Sequence, residues 1–509
     1  MNILLLNPPP NDRSWYRVEH LGIAYIGAAL NKAGHKVTLI DSLLENFDIA
    51  QTCNAILSRN EHIDILGITA TEPETIKSGI EIVKCLNKKG LYPHVTAGGY
   101  FPTFWRNEIF DFYPEINSVV VGEGEETIIG LAHALENKID LCQVDGLVYR
   151  NYDGKIVHNK LRLLIQDLDK IPFPIRDYLP LANKKYHHAV ISSSRGCYYQ
   201  CSFCQITQFY RLAPGIPYRT RSAKSIAEEL ELLINEYGVR SVFFVDDEFI
   251  TKNPERRQVI LDLIKEIKKR RLSFSFSIQY RADTGDDPEL LSELKSVGLS
   301  TVFIGVESGV PSILKRFEKG INKTQINSAL KIVTDLDLNL IAGYMFFDPN
   351  TSFDELKESI GYLLHPDAPF IQDFHGMNLL KGTIEEQRLR TTDIYLERDM
   401  KISYRILDDK VRYFAKAIRD YYPIYRKVVL DLYELLFMLV CLPEDIASDK
   451  KKIDKEVHAL HKHFMSIAIN EIDKGIFDEN KLLTDLQKEF LRLERETQQL
   501  VDRAKRISS

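Results

Sequence analysis

Ser194-Arg195-Gly196-Cys197-Tyr198-Tyr199-Gln200-Cys201-Ser202-Phe203-Cys204 packs three thiols into eight residues, spaced C-x3-C-x2-C. That spacing lets three thiolates converge from one loop. A structural zinc site closes with four ligands, so a zinc loop here needs a fourth, from His187 or His188. A four-iron cluster held by three cysteines instead leaves one iron open. The other cysteines, at 53, 85, 142 and 441, are scattered and the total of 7 is odd. The pattern therefore predicts no disulfide framework. Cys441 lies in the apolar run Leu435 to Leu442 and reads as a buried core thiol.

Working outward, the loop follows a candidate strand at 189–194. Further strands are expected at 241–246, 274–280, 301–307, 338–347 and 370–379, with helices between them. Six strand–helix units are too few for a complete eight-unit barrel and fit a partial, open one over 188–383. Upstream, residues 1–150 alternate short apolar strands with helices and read as an open, mostly parallel α/β sheet. Its glycines and prolines gather where strands end, which is where ligands bind in such sheets. Residues 151–187, with Ile171-Pro172-Phe173-Pro174, read as a linker. From 384 to 509 strand signals vanish and a helical region is expected.

Composition bounds the function. The chain has 509 residues, 44% of them hydrophobic, and a net charge of −6. This argues against a protein built to hold nucleic acid by its phosphates. The longest apolar run is far short of the ~20 residues that span a bilayer. No signal peptide is recognised, and a soluble cytoplasmic protein is expected.

Cys197, Cys201, Phe203 and Cys204 resemble the signature of the radical S-adenosylmethionine (radical SAM) superfamily, C-x3-C-x-aromatic-C after the first strand of a partial (β/α)6 barrel. The resemblance implies a [4Fe–4S] cluster on the three cysteines. Its open iron would chelate S-adenosylmethionine, whose reductive cleavage gives a 5′-deoxyadenosyl radical. It places Phe203 near the adenine, Asp246 or Asp247 near the methionine amino end, Arg281 at its carboxylate, and Glu307 and Ser308, from Gly305-Val306-Glu307-Ser308-Gly309, beside the cofactor. Residues 1–150 resemble the cobalamin-binding domains that precede many such barrels. The matching pieces imply cobalamin contacts from Pro8, Thr69, Thr71, Gly98, Gly99, Gly122, Glu123 and Gly124. The D-x-H-x-x-G motif that supplies a cobalt-ligating histidine elsewhere is absent after the first strand. The resemblance implies a cobalamin-dependent C-methyltransferase. The alternatives are a non-methylating cyclase, dehydratase, rearrangement enzyme or epimerase, and, from another class, a cobalamin or redox sensor. The implied partners are a small-molecule or peptide substrate and an electron donor such as flavodoxin or ferredoxin.

Overall fold

Short apolar strands followed at once by amphipathic helices can bury both faces of a sheet, and the first domain does so in this computed structural model. The structure describes residues 1–10, 18–186, 188–366, 368, 369, 371, 374–438 and 444–508; His187 and Cys441 fall outside them. The first domain runs β1 (Asn2–Asn7), α1 (Leu21–Lys32), β2 (Lys36–Asp41), α2 (Ile49–Leu57), β3 (Ile65–Thr69), α3 (Pro73–Lys88), β4 (His94–Gly98), α4 (Tyr100–Phe104), α5 (Ile109–Phe112), β5 (Ser118–Val120), α6 (Glu125–Asn137), β6 (Leu147–Arg150) and β7 (Ile156–His158). The sheet order is β2-β1-β3-β4-β5-β6-β7. The first five strands are parallel and β6 and β7 are antiparallel. One core packs α2 and α3 on the sheet, through Ile56, Ile80 and Leu86. A second packs α1 and α6 on the other face, through Ile23, Leu30 and Leu131.

Two expectations change here. The hairpin β6–β7 straddles position 150, so part of the expected linker is sheet edge; β7 is short and lacks buried alternation. Cys53 and Cys85 form a disulfide, with Cα atoms 6.7 Å apart, joining α2 to α3. Residues 32 apart in sequence meet because two helices on one face of a parallel sheet lie side by side.

The second domain contains α7 (Leu179–Tyr186), β8 (Ala189–Ile191), β9 (Ser194–Arg195), α8 (Gln205–Leu212), β10 (Arg219–Thr220), α9 (Ala223–Asn235), β11 (Ser241–Phe244), α10 (Pro254–Arg270), β12 (Ser275–Arg281), α11 (Pro288–Ser296), β13 (Leu299–Glu307), α12 (Pro311–Arg316), α13 (Lys323–Asp335), β14 (Asn339–Tyr344) and α14 (Phe353–Leu364). The parallel order β8-β11-β12-β13-β14 makes a partial barrel. Of the strand expected at 370–379, the described residues form one parallel bridge, His375 to Met345.

The C-terminal region is α15 (Ile384–Leu389), β15 (Tyr395–Arg398), β16 (Lys401–Tyr404), α16 (Asp409–Met438), α17 (Glu444–Lys474) and α18 (Glu479–Ser508). The three long helices pack together. α16 and α17 lie on α14, and α16 also touches α7, so the bundle covers the barrel's open side. Phe346 and Phe374 of the barrel join Phe414, Tyr421, Tyr425 and Phe464 of the bundle in one core. The hairpin β15–β16 corrects the purely helical expectation. Its strands are exposed. Its two-residue turn, Asp399-Met400, has both residues at positive φ (52° and 59°) without the glycine such turns favour. Met400 is buried in the core of the first domain, and Lys401 pairs with Glu74 of α3. Among the described residues, no helix is long and apolar enough to cross a membrane.

Candidate functional site

Strand β8 delivers the chain to the cysteine loop, and its exit is held by one carboxylate. Asp246, at the end of β11, accepts from the Ser193 and Ser194 amides at 2.6 and 2.9 Å, from the Ser193 hydroxyl, and from Arg256 at 3.2 Å. With those partners the buried Asp246 holds the strand end. Gly196 then turns at φ +85°, where a Cβ would stand 2.1 Å from the Pro217 carbonyl oxygen. A side chain cannot fit, so the glycine before the first cysteine is required sterically.

Cys201 is buried and Cys197 and Cys204 are half-buried, all three as free thiols. The Ser202 amide and hydroxyl anchor the loop to the Phe317 and Arg316 carbonyls at 2.9 and 3.1 Å. Burial raises the Cys197 and Cys204 thiols, Cys204 to about 11, and neighbouring cysteines add to the effect. Unaided, these are poor thiolates; a bound metal centre would deprotonate its ligands. The surroundings supply compensating charge. Arg281 places Nη1 3.3 Å from the Cys201 sulfur, and Lys319 stands near enough to be raised by it. Arg281 also donates to Asp283 at 3.0 Å and to the Lys319 carbonyl, and it covers the Tyr199 ring at 3.5 Å. The guanidinium expected at the methionine carboxylate thus has partners within the protein. Glu248 accepts from the Cys197 thiol at 3.6 Å, a contact the sequence did not announce.

Among the described residues no three His, Cys, Asp or Glu side chains gather about a single ion position. His188, offered as a fourth zinc ligand, is buried beside Ser241 at the opposite end of β11. A tetrahedral zinc brings all its ligand atoms within about 2.0–2.3 Å of one point, whereas a cluster gives each thiolate its own iron. Three thiols with no fourth cysteine beside them among the described residues suit the latter, which leaves one iron open. Phe203 sits edge-on to Phe317, centroids 5.2 Å apart, against an apolar shelf that includes Met345 and Met377. Glu307 ends β13 at φ +63°, where the register with β14 shifts, and pairs with Lys319 at 2.8 Å. Ser308 is fully buried, and its hydroxyl accepts from the Val310 amide at 3.1 Å.

A cavity of about 430 Å³ opens between the two domains. Thr69, Thr71, Gly98, Gly99, Gly122, Glu123 and Gly124 all line it; Pro8 does not. Pro8 is buried against α3, 3.2 Å from where a Cβ on Gly79 would lie. The cavity continues between the sheet and helices α1 and α6, past Ile23, Ile26, Ala97, Val120 and Ile128. Its lining combines glycine turns and threonines with an apolar recess. A Cβ on Gly99 would meet the Ala70 carbonyl oxygen at 2.7 Å, one on Gly124 would meet Ile26 at 2.9 Å, and one on Gly122 would meet nothing within 4 Å. Backbone is thereby bared to the cavity at β5 and held tight at β4.

The far wall is the barrel itself: Ser192, Ser194, Arg195, Val245 and Asp247, with Phe209 and Tyr210 of α8. Asp247 accepts from the Gly196 amide at 3.0 Å and faces the cavity. Burial pushes its carboxyl up to about 7, and the charge of Asp246 adds to the effect. Tyr100, from α4, stacks obliquely on Phe209 at 4.6 Å and is raised by burial, with Asp247 and Cys204 contributing. Sequence reasoning missed His20, Tyr25, Tyr100, Phe209 and Tyr210. Tyr100 follows Gly98-Gly99 directly, and that adjacency was the available signal.

Glu123 lines the cavity, but its carboxylate is committed elsewhere. It pairs with Arg195 at 3.0 Å and Arg219 at 2.9 Å and accepts from the Ile165 amide at 2.9 Å. Glu125 takes the other arm of Arg195 at 2.6 Å. The Gly122-Glu123-Gly124-Glu125 turn of the first domain therefore grips the arginine two residues before Cys197.

Two family models match, the radical SAM superfamily over residues 191–363 and the B12-binding domain over residues 13–132. The chain is a radical SAM superfamily member with a B12-binding domain. An uncharacterized methyltransferase of Pyrococcus horikoshii is 29% identical over 448 residues, 85% of this chain and 95% of that protein. The 4′-phospho-dehydrooxetanocin synthase of Priestia megaterium is 28% identical over 358 residues, 65% of this chain and 46% of that one. The solved cobalamin-dependent S-adenosylmethionine radical enzyme OxsB, with aqua-cobalamin and S-adenosylmethionine bound, superposes with a TM-score of 0.76 at 20% identity. It covers 99% of this chain and 80% of that one. The cysteine loop belongs to the radical SAM domain, and the glycine turns at β4 and β5 belong to the B12-binding domain.

Proposed function

We propose that this radical SAM enzyme binds cobalamin in the interdomain cavity and carries out non-methylating radical chemistry, such as ring formation or rearrangement, on a small molecule or peptide. Cys197, Cys201 and Cys204 would hold the [4Fe–4S] cluster, with S-adenosylmethionine on the shelf by Phe203. A one-electron donor of flavodoxin or ferredoxin type would feed it. When bound, the cluster and cobalamin supply the redox and radical chemistry; the chain orients them and excludes water. The observation that carries the reading is that cavity and cysteine loop share a wall. Asp247 touches Gly196 on one side and lines the cavity on the other. Two cofactors so placed serve one substrate. Arg281 and Lys319 offset the negative charge of a thiolate-bound cluster, and Tyr100, Phe209 and Tyr210 screen the junction from solvent.

Similarity to a protein named as a synthase supports the non-methylating reading. Similarity across 95% of a protein named as a methyltransferase favours methyl transfer as the second reading. The two differ in stoichiometry. Anaerobically reconstituted enzyme, given S-adenosylmethionine, reduced cobalamin and dithionite, should yield 5′-deoxyadenosine and methionine without S-adenosylhomocysteine. Sustained S-adenosylhomocysteine formation that requires cobalamin would establish methyl transfer in its place.

A further inference from the structure

His20 is the only imidazole lining the cavity among the described residues. It forms no part of a D-x-H-x-x-G motif; it is the N-cap of α1. The Ile23 amide donates to His20 Nδ1 at 3.3 Å. A backbone amide is always a donor, so Nδ1 must carry the lone pair. Burial lowers the His20 pKa, which keeps the ring neutral with a single proton. That proton is therefore on Nε2, the atom 3.4 Å from Thr69 Oγ1, and both residues line the cavity. The residue is pinned from several sides. Asp41, held by Asn7 at 3.0 Å and the Leu44 amide at 3.1 Å, also accepts from the His20 amide. Gly22 leaves room for the ring, because a Cβ there would stand 3.0 Å from its Cε1.

Resting on the reading that the cavity takes cobalamin, we infer that His20 is a positioning residue for the corrinoid: its Nε2–H goes to Thr69 Oγ1 and turns the threonine hydroxyl proton toward the ligand, and the ring does not itself ligate cobalt. Coordination needs the Nε2 lone pair. To expose it, the proton would have to move to Nδ1, where it would face the Ile23 N–H, two donors in opposition at a helix start. The cap would be lost and an orphan amide buried. With Nε2–H pointing at Thr69, the threonine oxygen accepts and its own proton is free to turn outward. The threonine thus offers one oriented donor to acceptors such as the amide carbonyls and phosphate of a corrinoid.

The test uses the full-length chain and cob(II)inamide, which lacks the dimethylbenzimidazole base, so any nitrogen on cobalt must come from protein. Electron paramagnetic resonance of bound cob(II)inamide should show cobalt hyperfine lines without nitrogen splitting. Absorbance titration should show cobinamide binding weakened about two- to twelvefold in His20→Ala, as loss of one hydrogen bond implies. His20→Gln, which keeps an acceptor for Ile23 and a donor for Thr69, should recover most of the affinity. Nitrogen splitting present in the unaltered protein and absent from His20→Ala would overturn the inference. Unchanged affinity in His20→Ala, or equal weakening by Gln and Ala, would also overturn it. An unaltered chain that binds no corrinoid at all would instead overturn the cobalamin reading, and this inference with it.

Discussion

Arg195→Met tests whether the grip of the first domain on the cysteine loop is electrostatic. Arg195 bridges Glu123 at 3.0 Å and Glu125 at 2.6 Å, with all three side chains at most 13% exposed. In the variant Glu123 keeps Arg219 at 2.9 Å. Glu125 loses the direct partner that the structure gives it. Burial works to raise the Glu125 carboxyl, and Arg195 outweighs it, holding the group below its ordinary 4.5. Without the guanidinium the carboxyl is driven to protonate. Neutralising a group of ordinary pKa 4.5 at pH 7 costs about 3.4 kcal/mol, at about 1.36 kcal/mol per pH unit, and about 1.4 kcal/mol at pH 5.5. The sign follows. The variant's folded Glu125 titrates above its unfolded value, so the loss vanishes below pH 4.5 and grows as pH rises. With about 2.1 cal/mol/K per residue over 509 residues, the melting temperature should fall by about 3 °C at pH 7 and about 1 °C at pH 5.5. Arg195→Met/Glu125→Gln, which removes the stranded acid, should recover most of the loss at pH 7. Thermal unfolding of both variants at the two pH values is the assay. A loss independent of pH and not relieved by the second substitution would refute the reasoning.

Replacing Cys197, Cys201 and Cys204 together by Ala should abolish iron and sulfide incorporation on reconstitution while circular dichroism stays native, since the apolar cores lie elsewhere; full incorporation would sink the cluster assignment. Gly99→Ala forces a Cβ to 2.7 Å from the Ala70 carbonyl oxygen at φ +103°. It should cost about 1–3 kcal/mol in denaturant unfolding and weaken cobalamin binding. Asp247→Asn should gain stability relative to the unaltered protein as pH rises from about 4 to about 7. A carboxyl raised from 3.8 to about 7 stabilises the fold fully only below its unfolded value and loses that contribution as it ionises. A flat difference across that range of unfolding scans would refute the burial of its charge.

The sequence made the fold legible wherever burial was two-sided. The strands β1 and β3 are short runs with apolar centres, and β12 and β13 are buried along most of their length between turn residues. It failed where structure is exposed or made from distant partners. The edge strand β7 and the hairpin β15–β16 carry no burial pattern, and the turn at Asp399-Met400 has left-handed residues that are neither Gly nor Asn. At the site, motif position found Thr69, Thr71 and the glycines of the cavity but not where each side chain points. Asp246 and Asp247 are adjacent, yet one holds the strand end and the other faces the ligand space. Arg281, Ser308 and the Glu123 carboxylate belong to networks closed by Lys319, Val310 and Arg219, and no local spacing could reveal those partners. His20 belongs to no known motif; its helix-start context, His20-Leu21-Gly22-Ile23, is the cue the sequence carries.

The buried seat of Met400 has a consequence for the order in which the molecule is made. The first domain ends its sheet near residue 158, yet its core is incomplete until a side chain from far downstream arrives. At about 5–20 residues per second of synthesis, the roughly 240 residues from the end of β7 to Met400 take about 12–48 s to emerge. Through that interval the nascent domain carries an unfilled apolar seat beside α3. The last step of its folding is thereby tied to completion of the radical SAM barrel on the ribosome.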